Sequence, residues 1–242
     1  MVLRDKPRMS GIAAAEKVVQ AAADLLRSGG VEAVSTRAVA AAAGVQPPLI
    51  YRQFGDKQGL LDAVTGLVLE NYLQDKRRVV LTEDPVQDLR ESWDLHVGFG
   101  LTHPDCYILA YVQPRPGKMP PRARETLDIL RGLVARIGDH GRLRMSVNRA
   151  AEVMHAAAVG FVLSQIRVPP DERDPQLSKI MCEQAISTII TGDSKQPSPH
   201  SDLPARAVAL REALRGNTDD ALTPAECALL AEWLNRLADR AD

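Results

Sequence analysis

At 242 residues the chain can hold one large or two modest domains around a sizeable core, and 45% apolar with 25% charged residues is an ordinary globular balance. The net charge of −1 is unevenly placed: residues 1–60 carry eight Lys and Arg against five Asp and Glu, a net +3, which leaves −4 for the rest. A polyanion would therefore be met at one end only. Scattered Cys106, Cys182 and Cys227 argue for reduced thiols rather than a disulfide framework. The longest strongly apolar run, Ala156–Leu163, falls short of a ~20-residue membrane span, and Arg4, Lys6 and Arg8 stand where a secretory leader would be apolar. The expected location is the cytoplasm.

In chain order, residues 1–10 read as a disordered basic arm. Ala15, Val18, Val19, Ala22, Leu25 and Leu26 recur at helical spacing and predict a helix over Ile12–Arg27, stopped by Gly29 and Gly30. Thr36 and Arg37 open a short helix with Val39, Ala42 and Ala43 on its apolar face. Gly44 can take the positive φ of a tight reversal. A second short helix starts at Pro47 and Pro48 and carries Leu49 to Phe54. Asp56 and Lys57 then open a longer connecting helix, to about Val80, with Leu60, Leu61, Val64, Leu67 and Val68 along one side. Helix, glycine turn, helix is the outline of a DNA-binding helix-turn-helix, whose second helix enters the major groove.

Further helices are expected over residues 85–101, 104–112, 121–139, 146–167 and 174–191, with a break at His103–Pro104 and a proline-rich loop over 113–121. A polar linker over 192–201 leads to two more, 203–215 and 224–240, the latter opened by the capping pattern Thr223-Pro224-Ala225-Glu226. Strand signals are absent almost everywhere. The expected fold is all-α: a three-helix head with its arm over residues 1–58, a larger helical body over 59–195, and a linker with a C-terminal hairpin packed on the body over 196–242.

Residues 12–69 resemble the N-terminal domain of the TetR family of transcriptional regulators. The resemblance is carried by Ser35, Thr36, Arg37, Val39, Ala40, Ala43, Gly44, Val45, Leu49, Ile50, Tyr51, Phe54, Lys57, Leu60 and Leu61. Beyond residue 80 that family has no shared motif. The resemblance implies a DNA-binding regulator, commonly a repressor, that acts as a homodimer on a near-palindromic operator and answers to a small-molecule effector.

Residue chemistry can be set beside that implication. Thr36 at a helix N-terminus, Tyr51 with a reaching hydroxyl, and Lys57 are candidate phosphate contacts, and the family's phosphate contacts map onto these positions. The alternatives are a helix cap, a core aromatic and a solvated charge. Arg52 can read guanine and Gln53 adenine, each with two hydrogen bonds. Gln46 either touches a base edge or caps the second helix, and Arg37 reaches a base or a phosphate. Pro47 and Pro48 depart from the small polar residues frequent in the family; they delete two N–H donors and offer apolar surface to a thymine methyl.

In the body, Val153, Ala156, Ala157, Gly160 and Ser164 form a small-residue stripe, and Leu177, Met181, Ala185 and Thr188 run along the following helix. The family makes its four-helix dimer interface from the last two body helices; the alternative is that both stripes are the chain's own core. Such a dimer would set its reading helices roughly 34–36 Å apart. Trp93, His96, Phe99, His103, Tyr107, Tyr111 and His155 are candidates to line the effector pocket that the resemblance implies, or are core and rim. A mostly apolar molecule would suit them. No acid or thiol is spaced to complete a metal site, and no cofactor is expected. Phosphate loops, nucleophile elbows and paired carboxylates are missing, so an enzyme is not expected. The competing class is a helical ligand-binding or interaction module without sequence-specific DNA binding.

Overall fold

The computed structural model describes residues 11–112, 121–191, 203–216 and 222–239. The expected basic arm, the 113–120 part of the proline-rich loop and the whole 192–201 linker lie outside them. Among the described residues are eleven α-helices and no strand: α1 (Gly11–Ala33), α2 (Thr36–Ala43), α3 (Pro47–Phe54), α4 (Lys57–Arg78), α5 (Pro85–Thr102), α6 (Pro104–Tyr111), α7 (Pro121–Asp139), α8 (Val147–Ile166), α9 (Pro175–Ile189), α10 (Leu203–Gly216) and α11 (Pro224–Ala238). A lone antiparallel bridge joins Leu143 to Ile190. The all-α reading holds, and the helix limits fall close to those that periodicity and capping predict.

One expected stop is a break. Gly29 and Gly30 leave helical geometry, with Gly30 at φ 67°, yet the chain resumes helical hydrogen bonding to Ala33. Glycine ends the regular run because its backbone is free to leave the α region, but tertiary packing of Val31 and Val34 carries the chain on.

The chain divides into two compact units, Met1–Asp75 with Thr102–Ala123, and Lys76–Leu101 with Arg124–Asp242. The first unit is thus larger than the expected head, since it takes most of α4 and all of α6. The physical reason lies in its core: Val18, Leu26, Val39, Ile50, Leu60 and Val64 pack in one buried cluster with Cys106 and Leu109 of α6. Local capping fixes its turns. Ser35 Oγ accepts from the Ala38 N–H at 3.1 Å at the start of α2, and Gly44 ends it at φ 67°, ψ 33°. Asp56 Oδ1 accepts from the Gly59 N–H at 2.8 Å at the start of α4.

The second unit is built on α5, α7, α8 and α9, with α8 packed on α9 and α10 on α11. Asp174 and Ser146 cap α9 and α8. Asp239 ties the end of α11 to the start of α8 by accepting from Ser146 N–H at 2.8 Å and Ser146 Oγ at 2.7 Å. The predicted capping box is present at α11: Thr223 and Glu226 exchange side-chain-to-backbone bonds. None of the described helices is long and apolar enough to cross a membrane.

Candidate nucleic-acid interface

α3 is eight residues long and has two faces. Ile50 is fully buried, and Leu49 and Phe54 are half-buried, which anchors the helix on the first unit's core. Gln46, Pro48, Tyr51, Arg52 and Gln53 are exposed, and Pro47 is half-buried. The two prolines occupy the first helical turn, where their missing N–H groups have no intrahelical partner to lose. Gln46 stands at the N-cap without making a side-chain cap bond, so its amide is not committed to closing the helix.

Thr36 and Tyr51, from different helices of the motif, are brought together: their hydroxyls are 3.2 Å apart. The Tyr51 ring is 53% exposed and is therefore no core aromatic. The N-cap of α2 is Ser35 rather than Thr36, which leaves the Thr36 hydroxyl for other work. Arg37 and Arg52 are exposed. Lys57 is exposed too, but its ammonium donates to the Val31 carbonyl at 3.2 Å, so it fastens the start of α4 to the end of α1.

The expected effector residues separate. Trp93, His96 and His155 come together in the second unit, around a narrow cavity of about 20 Å3, room for about one water. Trp93 Nε1 donates to Ser178 Oγ at 3.0 Å and its ring meets Phe161 at 6.0 Å between centroids. His96 and His155 lie edge to face at 6.3 Å. Burial, then Lys76 and each other's company, hold the His96 imidazole well below its ordinary pKa; burial likewise lowers that of His155. Phe99, although buried, does not line this cavity. His103, Tyr107 and Tyr111 belong to the first unit. There Tyr107 is fully buried and stacks on Tyr111 at 4.6 Å, and burial pushes the Tyr107 and Tyr72 hydroxyls upward. Aromatic character groups Phe99, His103, Tyr107 and Tyr111 with the other candidates but says nothing about which core a ring enters.

A larger cavity, about 310 Å3, escaped the sequence reading. Its wall includes Val79, Leu81, Leu95, Ile129 and Leu133, with Lys76 and Ser92 shared with the smaller one. Lys76 is buried and donates to Ser92 Oγ at 2.9 Å, and burial lowers its pKa to about 8. One signal could have found it: Lys76 continues the i, i+3/i+4, i+7 apolar stripe of Leu69, Tyr72 and Leu73, where a charge is out of place. At the cavity's edge Asp88 accepts from Arg136, from Thr82 N–H at 3.0 Å and from Thr82 Oγ1 at 2.8 Å.

On the proposed pairing helices, Ala156, Gly160, Ser164 and Thr188 are exposed, and Val153, Ala157, Leu177 and Met181 half-buried. Ala185 is buried and belongs to the chain's own core. The outward residue beside it is Ile180, 52% exposed. Among the described residues no group of His, Cys, Asp and Glu could hold a metal ion.

The sequence profile of the bacterial regulatory proteins of the tetR family matches residues 18–64, from within α1 to within α4. Over that segment the chain carries a TetR-type N-terminal domain. It is 45% identical over 56 residues to the tetracycline repressor protein class A from transposon 1721 of Escherichia coli; the match spans 23% of this chain and 26% of that protein, about a quarter of the relative's length. Solved TetR-family folds extend the likeness. A TetR variant from Acinetobacter baumannii AYE in complex with minocycline superposes with a TM-score of 0.56 at 23% identity, over 72% of this chain and 94% of its own. A TetR/AcrR-family regulator from Thermobifida fusca YX-ER1 gives 0.56 at 19% identity, over 76% and 98%. NalD, the secondary repressor of the MexAB-OprM multidrug efflux pump in Pseudomonas aeruginosa, gives 0.52 at 19% identity, over 75% and 98%. At such identities the likeness is one of fold. The matched segment holds the helix–glycine turn–helix formed by α2, Gly44 and α3.

Proposed function

We propose that the chain is a homodimeric, cytoplasmic repressor that grips a near-palindromic operator through α3 and is released by a small, mostly apolar effector held in its second unit. One observation supports the DNA part: the hydroxyl of exposed Tyr51 meets that of Thr36, across the two helices, at 3.2 Å, and the next residue on α3 is the exposed Arg52. Thr36, Tyr51 and Lys57 would meet phosphates and fix the register. Arg52, Gln53 and Gln46 would read base edges, Pro47 and Pro48 would face a thymine methyl, and Arg37 would serve as base or phosphate contact.

The relatives support the rest of the reading. They include a tetracycline repressor, a protein solved in complex with minocycline and a repressor of an efflux pump. Coupling would be a population shift: an effector that prefers one arrangement of the dimer lowers operator affinity, typically by ~1–3 kcal/mol. α4 is the candidate conductor because it begins in the first unit and supplies Lys76 and Arg77 to the cavity wall of the second.

Selection of bound fragments from random DNA tests the reading. The expected product is an inverted repeat with half-site centres about one helical turn apart, lost when Arg52 and Tyr51 are both replaced by alanine. Enrichment of no sequence would defeat it.

A further inference from the structure

The larger cavity has a polarity that an apolar effector leaves unused. Its wall brings three cations, Lys76, Arg77 and Arg136, to one carboxylate, Asp88. Arg136 is engaged by Asp88, and Arg77 is paired with Glu125. Lys76 is the buried member of the three, its ammonium donating to the neutral hydroxyl of Ser92. Lys76 and Ser92 are also the residues that the two cavities share. On one side of them stand the imidazoles of His96 and His155 and the hydroxyl-bearing Thr126; on the other stand Leu95, Ile129 and Leu133. An ammonium in such surroundings is poorly solvated, and an anion delivered to it is held by charge-assisted hydrogen bonds, the strong kind.

We propose that the effector is an organic acid, its carboxylate received by Lys76 and Ser92 and its hydrocarbon body lying against Leu95, Ile129 and Leu133. The assignment rests on the effector reading above and gives it a chemical class. Lysine and serine donors suit a carboxylate, whose two charged oxygens only accept; a neutral amide of the same shape keeps one accepting oxygen and loses the charge that strengthens the bond to the ammonium. At about 310 Å3 the space lies at the small end of ligand pockets, ~300–1,000 Å3, so the acid is compact.

Calorimetric titration of the full chain with matched pairs tests this: octanoate, 4-phenylbutyrate and benzoate, each against its primary amide. At pH 7 at least one acid binds, tenfold or more tighter than its amide. Lys76→Met, which keeps the side chain's length without its charge, brings that acid down to the level of its amide and leaves the amide unchanged. In the unaltered chain at pH 9, where Lys76 with its pKa of about 8 is mostly neutral, acid binding restores the ammonium and takes up close to one proton, read from the dependence of the heat on the buffer. Equal affinities within every pair, an acid affinity untouched by Lys76→Met, or no binding by any acid overturns the assignment. Operator selection needs no effector, so it can succeed while this assignment fails, and the two failures are distinguishable.

Discussion

The hydroxyls of Thr36 and Tyr51 cross-link the two helices of the reading motif at 3.2 Å, on a tyrosine that is 53% exposed. An exposed hydroxyl pair adds little to folding; in the proposed complex it would present two groups to one phosphate oxygen. Tyr51→Phe keeps the ring and removes the bond, so it should weaken binding about five- to tenfold on all duplexes alike, the worth of one neutral hydrogen bond. The salt dependence should stay unchanged, because no charge is lost. Arg52→Ala should instead relax preference at one base pair, by ~1–3 kcal/mol. Fluorescence-anisotropy titrations at several salt concentrations separate the two outcomes; a sequence-selective loss in Tyr51→Phe would contradict the phosphate role. Lys76 makes the opposite case, a residue that folding would do without. Burial lowers its pKa from 10.5 to about 8, so the folded chain binds its proton less readily than the unfolded chain does. Stability should therefore rise as pH climbs from about 8 towards 10.5, and Lys76→Met should stabilise the protein at pH 7 by on the order of 2–3 kcal/mol. That gain should shrink over the same pH interval, as urea midpoints would show.

Among the helices, the start of α5 depends most on a single side chain. Asp88 is buried in the first turn, and burial pushes its pKa up; hydrogen bonds from Thr82 and Arg136, with the Arg136 charge, outweigh that and hold it below the usual value. A carboxyl held low in the folded state stabilises above its unfolded pKa, about 4, and loses that contribution as pH falls through the folded value. Asp88→Asn strips a buried pair of its anion and should cost about 3 kcal/mol at pH 7. The difference from the unaltered chain should narrow below pH 4, measured by denaturant unfolding at both pH values. Asp88 was invisible in the sequence because its partners are a loop residue and an arginine on α7. The same distinction runs through the fold. Helix limits were legible, since Ser35, Gly44, Asp174 and Thr223 cap their own helices by contacts a few residues long. The place of α6 was not, because Cys106 and Leu109 join a core made by residues 18–64, far away in the chain. In the reading helix, exposure followed from a short amphipathic pattern. In the cavities it did not: Trp93, His96 and His155 meet, while Tyr107 and Tyr111 enter another unit. Spacing along one helix shows which side chains share a face, not which partner that face meets.

For the molecule as a working assembly, the deciding question is what covers α8 and α9. A buried glycine is usually held by its neighbours, as at Gly138, where an added Cβ would lie 2.9 Å from Val208 Cγ1. Gly160, on the exposed side of α8, meets nothing: a Cβ there would have no atom within 4 Å outside its own stretch of helix. Glycine in a helix interior costs ~1 kcal/mol relative to alanine, so the chain's own packing gives no reason for it. Ala156 and Ser164 flank it one turn away on either side, also small and exposed, and Ile180 stands out from α9 at 52% exposure. Small residues kept on a face that its own subunit leaves open suit the close approach of a helix from a second copy. Gly160→Arg is then a selective test. Within one subunit the arginine has room and favours the helix, so circular dichroism and the urea midpoint should hold or improve slightly. Across a two-fold axis it would meet its own symmetry mate, a clash and a like-charge contact together. The variant should sediment as a monomer and bind a full operator ~10²–10⁴-fold more weakly, because two half-sites joined by one dimer act at high effective concentration and two separate heads do not. Isolated half-sites should be bound as before. A Gly160→Arg protein that remains dimeric with full operator affinity would place the pairing surface elsewhere on the chain.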